Sequence, residues 1–139
     1  FAQFIKIVDG ETVLISNGFA PTFGAAWDNN PYAQQWSLVE GQPPTNRKEV
    51  VMDVLTAENH NFLVGDRVTV LAGATPASFT IVGIAEFANV GAPGGATFAL
   101  FEFRTAQALL DSKGEVDLVN VVIENCLQYN QKCCHRFLY

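Results

Sequence analysis

Apolar positions cluster first in residues 1–8 (FAQFIKIV) and 12–15 (TVLI), two β-rich runs parted by Asp9-Gly10-Glu11. Asp-Gly between such runs is a strong hairpin signal, so the chain is expected to open on a hairpin. Residues 16–44 hold Asn, Gly, Pro and the aromatics Phe19, Phe23, Trp27, Tyr32 and Trp36 without sustained periodicity. They read as a long ordered loop with at most a short helix, pinned by buried rings. Residues 49–53 (EVVMD) form a short apolar strand, and Thr56 can then cap a helix that carries Glu58 in its first turn and ends near Phe62.

Val64-Gly65-Asp66 turns the chain into residues 67–71 (RVTVL), where Val68 and Val70 alternate with Arg67 and Thr69 as in a half-buried strand. Residues 78–87 (SFTIVGIAEF) are apolar on both faces, with Phe79, Ile81 and Phe87 on one and Val82 and Ile84 on the other. Such a strand is central, or belongs to a small closed barrel. The glycine-rich residues 91–95 then lead as a flexible connection into a strand over 97–103. Thr105 caps a short helix through Ser112, whose Ala106, Leu109 and Leu110 make one apolar stripe. Gly114 closes that helix and residues 116–123 (VDLVNVVI) return as a strand, which reads as a βαβ unit laid on a sheet. There is no solenoid-type repeat and no low-complexity tract.

With 139 residues, 49% hydrophobic and 16% charged, the chain suits one globular domain. A chain of this size buries about 65 to 70% of its unfolded surface, enough for a core without metal or disulfide. No run of 18 or more mainly apolar residues is present, so no segment of the chain itself spans a membrane as a helix. The first residue is Phe1, with neither a charged nor an apolar leader after it, which suggests an excised or processed piece of something longer. Fourteen acidic against 8 basic side chains give a net charge of -6 with the cations scattered. Nucleic acid is therefore not an expected partner, and an anionic lipid surface is disfavoured for the same reason.

The motifs of catalysis are missing. No Gly-x-Ser-x-Gly elbow occurs, and Asp9-Gly10 lacks the Ser or Thr of an aspartic protease loop. Residues 91–95 lack the Lys-Ser/Thr of a phosphate cradle and feed a strand rather than a helix. His60, beside Glu58 and Asn59, has too few companions for a metal site. All three cysteines, Cys126, Cys133 and Cys134, lie in the last 14 residues with His135, without the paired knuckles of a zinc ribbon. Glu115 and Asp117 share one side of a strand and read as a solvated edge rather than a glycosidase pair. Glu49, Asp53 and Asp66 border strand ends as turn and cap residues. No cofactor and no metal is expected.

From Gly41 the order of motifs resembles the extracytoplasmic, MacB-like periplasmic core domain of MacB/FtsX-type ABC transporter permeases. The matching pieces are G-x-x-P at Gly41 and Pro44, EVVMD…TA from Glu49 to Asp53 with Thr56-Ala57, and VGD-x-V-x-V from Val64 to Val70. FTIVGI from Phe79 to Ile84 and TAQ-x-LL from Thr105 to Leu110 complete them. The match covers about two thirds of the chain. The stretch before Gly41 matches only loosely, through GFAPTFGAAW from Gly18 to Trp27. Residues 126–139 match nothing in the family and read as a diverged or frameshifted tail.

The resemblance implies an α+β fold with a porter-like βαβ part and a small mostly-β subdomain at about 41–90, followed by a βαβ return at about 96–124, within a domain over residues 1–125. It implies a non-catalytic domain at the extracytoplasmic face of the cell membrane, inserted between transmembrane helices of the same chain. ATP would be hydrolysed on a separate cytoplasmic subunit, and a second permease copy or an extracytoplasmic protein would be further partners. Trp27, Tyr32, Trp36 and Pro93 are the candidate interaction surface; Gly65, Asp66, Gly83 and Thr105 are candidate structural motif residues. Two rival readings stand beside it. One is a free-standing extracellular binding module in which Trp27 or Trp36 stacks a ligand; the other is a small hydrolase using Asp and Glu.

Overall fold

The computed structural model describes residues 3–8, 11–15, 21–72, 75–88 and 92–109. The expected last turn of the second helix, Gly114, the strand over 116–123 and the cysteine-bearing tail lie outside the described residues. The fold is α+β. Among the described residues eight strands form one mixed sheet: β1 Gln3–Val8, β2 Glu11–Ile15, β3 Thr22–Ala26, β4 Trp36–Gly41, β5 Glu49–Asp53, β6 Arg67–Ala72, β7 Thr75–Phe87 and β8 Thr97–Phe101. Two short helices, α1 Val54–His60 and α2 Phe103–Leu109, follow β5 and β8 directly. Strand order is β2-β1-β6-β7-β5-β8-β3, with β4 paired to β7 off that path.

The opening hairpin forms as expected, with Val8 opposite Glu11 in an antiparallel pair. Residues 16–44 correct the loop expectation, because their described part contains β3 and β4. β3 lies parallel to β8, Phe23 opposite Phe98, and β4 antiparallel to β7, Trp36 opposite Phe87. β3, a run of Thr, Phe, Gly and Ala, lacks the alternation that periodicity detects, and its partner strand supplies its register instead.

β7 is the central element. Its first half pairs with β6, Thr75 to Thr80 facing Ala72 to Arg67. Its second half pairs with β4 on that same side, while β5 runs parallel along the other. Between Val50 and Val51 the partner position on β7 jumps from Ile81 to Gly83, so Val82 is a bulge. A bulged residue flips the parity of everything after it. Ile84 therefore joins Phe79 and Ile81 in the larger core, whereas Val82 and Ala85 belong to the smaller core on the other face. Phe87 also faces away from Phe79, packing against Trp36. The strict alternation expected for residues 78–87 is corrected by that one extra residue.

Both helices contribute to the larger core, through Ala57 and Phe62 near α1 and Ala106 and Leu109 of α2. The caps differ from expectation in the same way twice. Asp53, not Thr56, is the N-cap of α1, its Oδ1 accepting from Thr56 N at 2.8 Å. Glu102, not Thr105, caps α2, accepting from Arg104 N, Thr105 N and Thr105 Oγ1, each at 3.0 Å. In each unit an acid before the helix accepts from the backbone N–H of a threonine three residues later, an ordinary side-chain N-cap. α1 ends close to the expected place, with Asn61 in the left-handed region at φ 52° and Phe62 N donating to the Ala57 carbonyl at 2.9 Å.

The two strand–helix units repeat one another. Asp53, Thr56 and Ala57 correspond to Glu102, Thr105 and Ala106 at a constant 49-residue step. The same step carries Val51 onto Leu100, and these two residues face each other in the antiparallel β5–β8 pair. A local two-fold axis therefore passes between them. It extends to the flanking strands, since β7 is parallel to β5 and β3 is parallel to β8.

Where β4 crosses β7, backbone meets backbone. A Cβ on Gly41, which has φ +79°, would lie 2.1 Å from the Val82 carbonyl oxygen; one on Gly83 would lie 2.6 Å from that of Gln42. Gly83 is thus a contact residue of the sheet. Gly41→Ala and Gly83→Ala are each expected to lower stability in urea unfolding by at least about 2 kcal/mol. Gly94→Ala shares a positive φ, 62°, but projects into open space, and is expected to lose only about 1 kcal/mol. Equal losses at all three positions would contradict the close-approach account.

Candidate interaction surface

On the face away from the helices, four rings line up across four strands. Phe23 of β3 and Phe98 of β8 have centroids 5.3 Å apart at 31°. Trp36 of β4 meets Phe98 at 5.1 Å and 58°, and Phe87 of β7 at 5.3 Å and 72°. Tilted and edge-on contacts at these distances are favourable beyond the area they bury. All four residues are half-buried, so the row is at once the cover of the smaller core and part of the outer surface. Beneath it sit Val51, Ala85 and Leu100, fully buried, with Trp27.

The candidate aromatic residues thus separate. Trp27 is 8% exposed, a core residue whose N–H donates to the Phe101 carbonyl at 2.7 Å. It leaves the interaction surface, and the reading in which it stacks a ligand is corrected with it. Tyr32 is 75% exposed at the head of the β3–β4 connection. That connection is held by its own side chains: Asn30 N donates to Asp28 Oδ1 at 2.8 Å and Tyr32 N to Asn30 Oδ1 at 3.0 Å. The Gln34 side-chain amide donates to the Asp28 carbonyl, and Ala88 N donates to the Gln35 carbonyl at 2.9 Å. Trp36 is the one proposed tryptophan that reaches the surface. Pro93 opens a single 3-10 turn, Pro93–Gly95, before β8; its side chain lies outside what is described. Phe87 and Phe98, placed by sequence in strands alone, complete the row. Their only signal was the parity of their strands, which the Val82 bulge obscured for Phe87.

The structural motif residues form a second locality. Gly65 has φ +100°, and its N–H donates to the Ile81 carbonyl at 2.7 Å while Ile81 N donates to the Asp66 carbonyl at 2.8 Å. Asp66 Oδ2 accepts from Leu63 N at 2.9 Å and closes the turn. These bonds fill the notch along β7 where β6 has begun and β4 has ended. An open cleft of about 400 Å³ remains there, lined by Gly41, Gln42, Val64, Gly65 and residues 80–82. Thr105 is buried at the start of α2, bonded to Glu102.

Asp53 is the one fully buried acid among the described residues. Oδ1 binds Thr56 N, and Oδ2 accepts from Phe98 N at 2.7 Å, tying the end of β5 to the start of β8. Thr56 Oγ1 and Thr97 Oγ1 meet alongside at 3.2 Å. Burial pushes the Asp53 carboxyl above its ordinary range, against the pull of the Phe98 and Thr56 N–H groups. Both oxygens are occupied by backbone, so its chemistry is spent on holding the fold. Among the described residues no three His, Cys, Asp or Glu side chains gather into a group that could hold a metal ion. Glu49 and Glu102 are held below the usual range, chiefly by the N–H groups of Thr45 and Arg104. Among the described residues no helix is long and apolar enough to cross a membrane. No family model, no curated protein and no solved structure matches the chain.

Asp53→Asn sets an NH₂ against one of the two backbone N–H donors and is expected to lower stability by about 1–3 kcal/mol near pH 7. The pH profile carries a sign. A folded pKa above the unfolded value, about 3.9, gives a contribution complete below that unfolded value and lost as pH rises through the folded one. Urea midpoints measured across that window should fall with rising pH in the parent relative to Asp53→Asn; parallel profiles would show that Asp53 does not titrate there.

Proposed function

We propose that this chain is a non-catalytic extracytoplasmic domain of an ABC transporter permease of the MacB/FtsX type. The observation that carries the reading is the ordered series of five motifs from Gly41 to Leu110. Their physical roles are consistent with a domain that transmits force. Gly41 and Gly83 lock β4 onto β7, VGD closes the turn into β6, and the two Thr-Ala segments seat helices at the ends of adjacent strands. A coupling domain needs such stiffness, because movement at one end must bias the arrangement at the other.

In this reading the chain comprises a porter-like βαβ part and a small mostly-β subdomain, carried on transmembrane helices of the same polypeptide at the extracytoplasmic face. The cytoplasmic ATP-binding subunit acts on it indirectly, and a second permease copy or an extracytoplasmic protein meets its surface. The aromatic row and Tyr32 are the natural contact points, since large rings supply much contact area for little lost side-chain freedom. The isolated domain binds no cofactor and turns nothing over.

The test is extraction of the native gene product. The reading expects it in the membrane fraction, released only by detergent, and co-purifying with an ATP-hydrolysing subunit. A product that stays in the soluble fraction, or repurified domain with reproducible hydrolytic turnover, would overturn it.

The half-exposed Trp36 between Phe87 and Phe98 favours one second reading, a free-standing binding module. A soluble ligand stacking there should change Trp36 fluorescence and lose the effect in Trp36→Phe, while the buried Trp27 signal stays constant. An unchanged Trp36 signal across a ligand panel, in a protein shown to be membrane-anchored, would eliminate this alternative.

A further inference from the structure

We draw no further inference here: the strongest candidate, the open cleft in the notch between β4 and β6, lined by Gly41, Gln42, Val64, Gly65 and residues 80–82, carries nothing, because nothing in the structure shows what covers it.

Discussion

Everything in this sheet passes through β7, and β7 works because two glycines let another backbone lie against it. A strand normally has one neighbour on each edge. β7 has β5 along one edge and, on the other, first β6 and then β4. The exchange from β6 to β4 happens within three residues, at Ile81, Val82 and Gly83. There Gly65 and Asp66 bond to Ile81, and Gln42 N donates to the Val82 carbonyl at 2.9 Å. No side chain fits between Gly41 and the Val82 carbonyl. The bulge at Val82 then sets which residues enter which core. Without it, Ile84 would leave the larger core and Phe87 would leave the aromatic row.

The second organising feature is the local two-fold that relates β5–α1 to β8–α2. Each unit uses an acid at the strand end to satisfy the first N–H groups of its helix, and each buries a Thr-Ala pair one turn later. The units are not equivalent in consequence. Glu102 caps from a half-exposed position, whereas Asp53 is fully buried and spends its second oxygen on the neighbouring unit through Phe98 N. One carboxylate thus terminates a strand, starts a helix and fixes the register of the adjacent strand. Both helices lie on one face, which leaves the other face to be closed by side chains of β3, β4 and their connection. Phe23, Trp36, Phe87 and Phe98 close that face, since large rings cover much sheet area each.

Much of the central sheet was legible because its strands announce themselves. EVVMD has the continuous apolar run of a buried strand and RVTVL the alternation of a half-buried one, and VGD has the turn chemistry of its bond pattern. What was not legible is non-local. β3 is a run of Thr, Phe, Gly and Ala that becomes a strand through its parallel partner β8. The caps went to the acids because Asp53 ends β5 and Glu102 directly follows β8, positions that are known only once the strand boundaries are. The bulge at Val82 leaves no mark in sequence beyond Gly83 after it. As for the surface, sequence located the aromatic segment but could not divide it: Trp27 and Trp36 are both tryptophans in a polar loop context, and burial separated them. The permease reading rests on motif order, and the sheet adds a physical use for each motif rather than an independent identification.

The central claim is that the domain stands outside the membrane on a chain that spans it. The measurement that tests it most directly is labelling of Tyr32→Cys, at the exposed head of the β3–β4 connection, in the native gene product with Cys126, Cys133 and Cys134 changed to Ser. A membrane-impermeant maleimide added to intact spheroplasts should label that cysteine in a protein that then sediments with membranes. Labelling only after lysis, or of a protein left in the soluble fraction, would contradict the account.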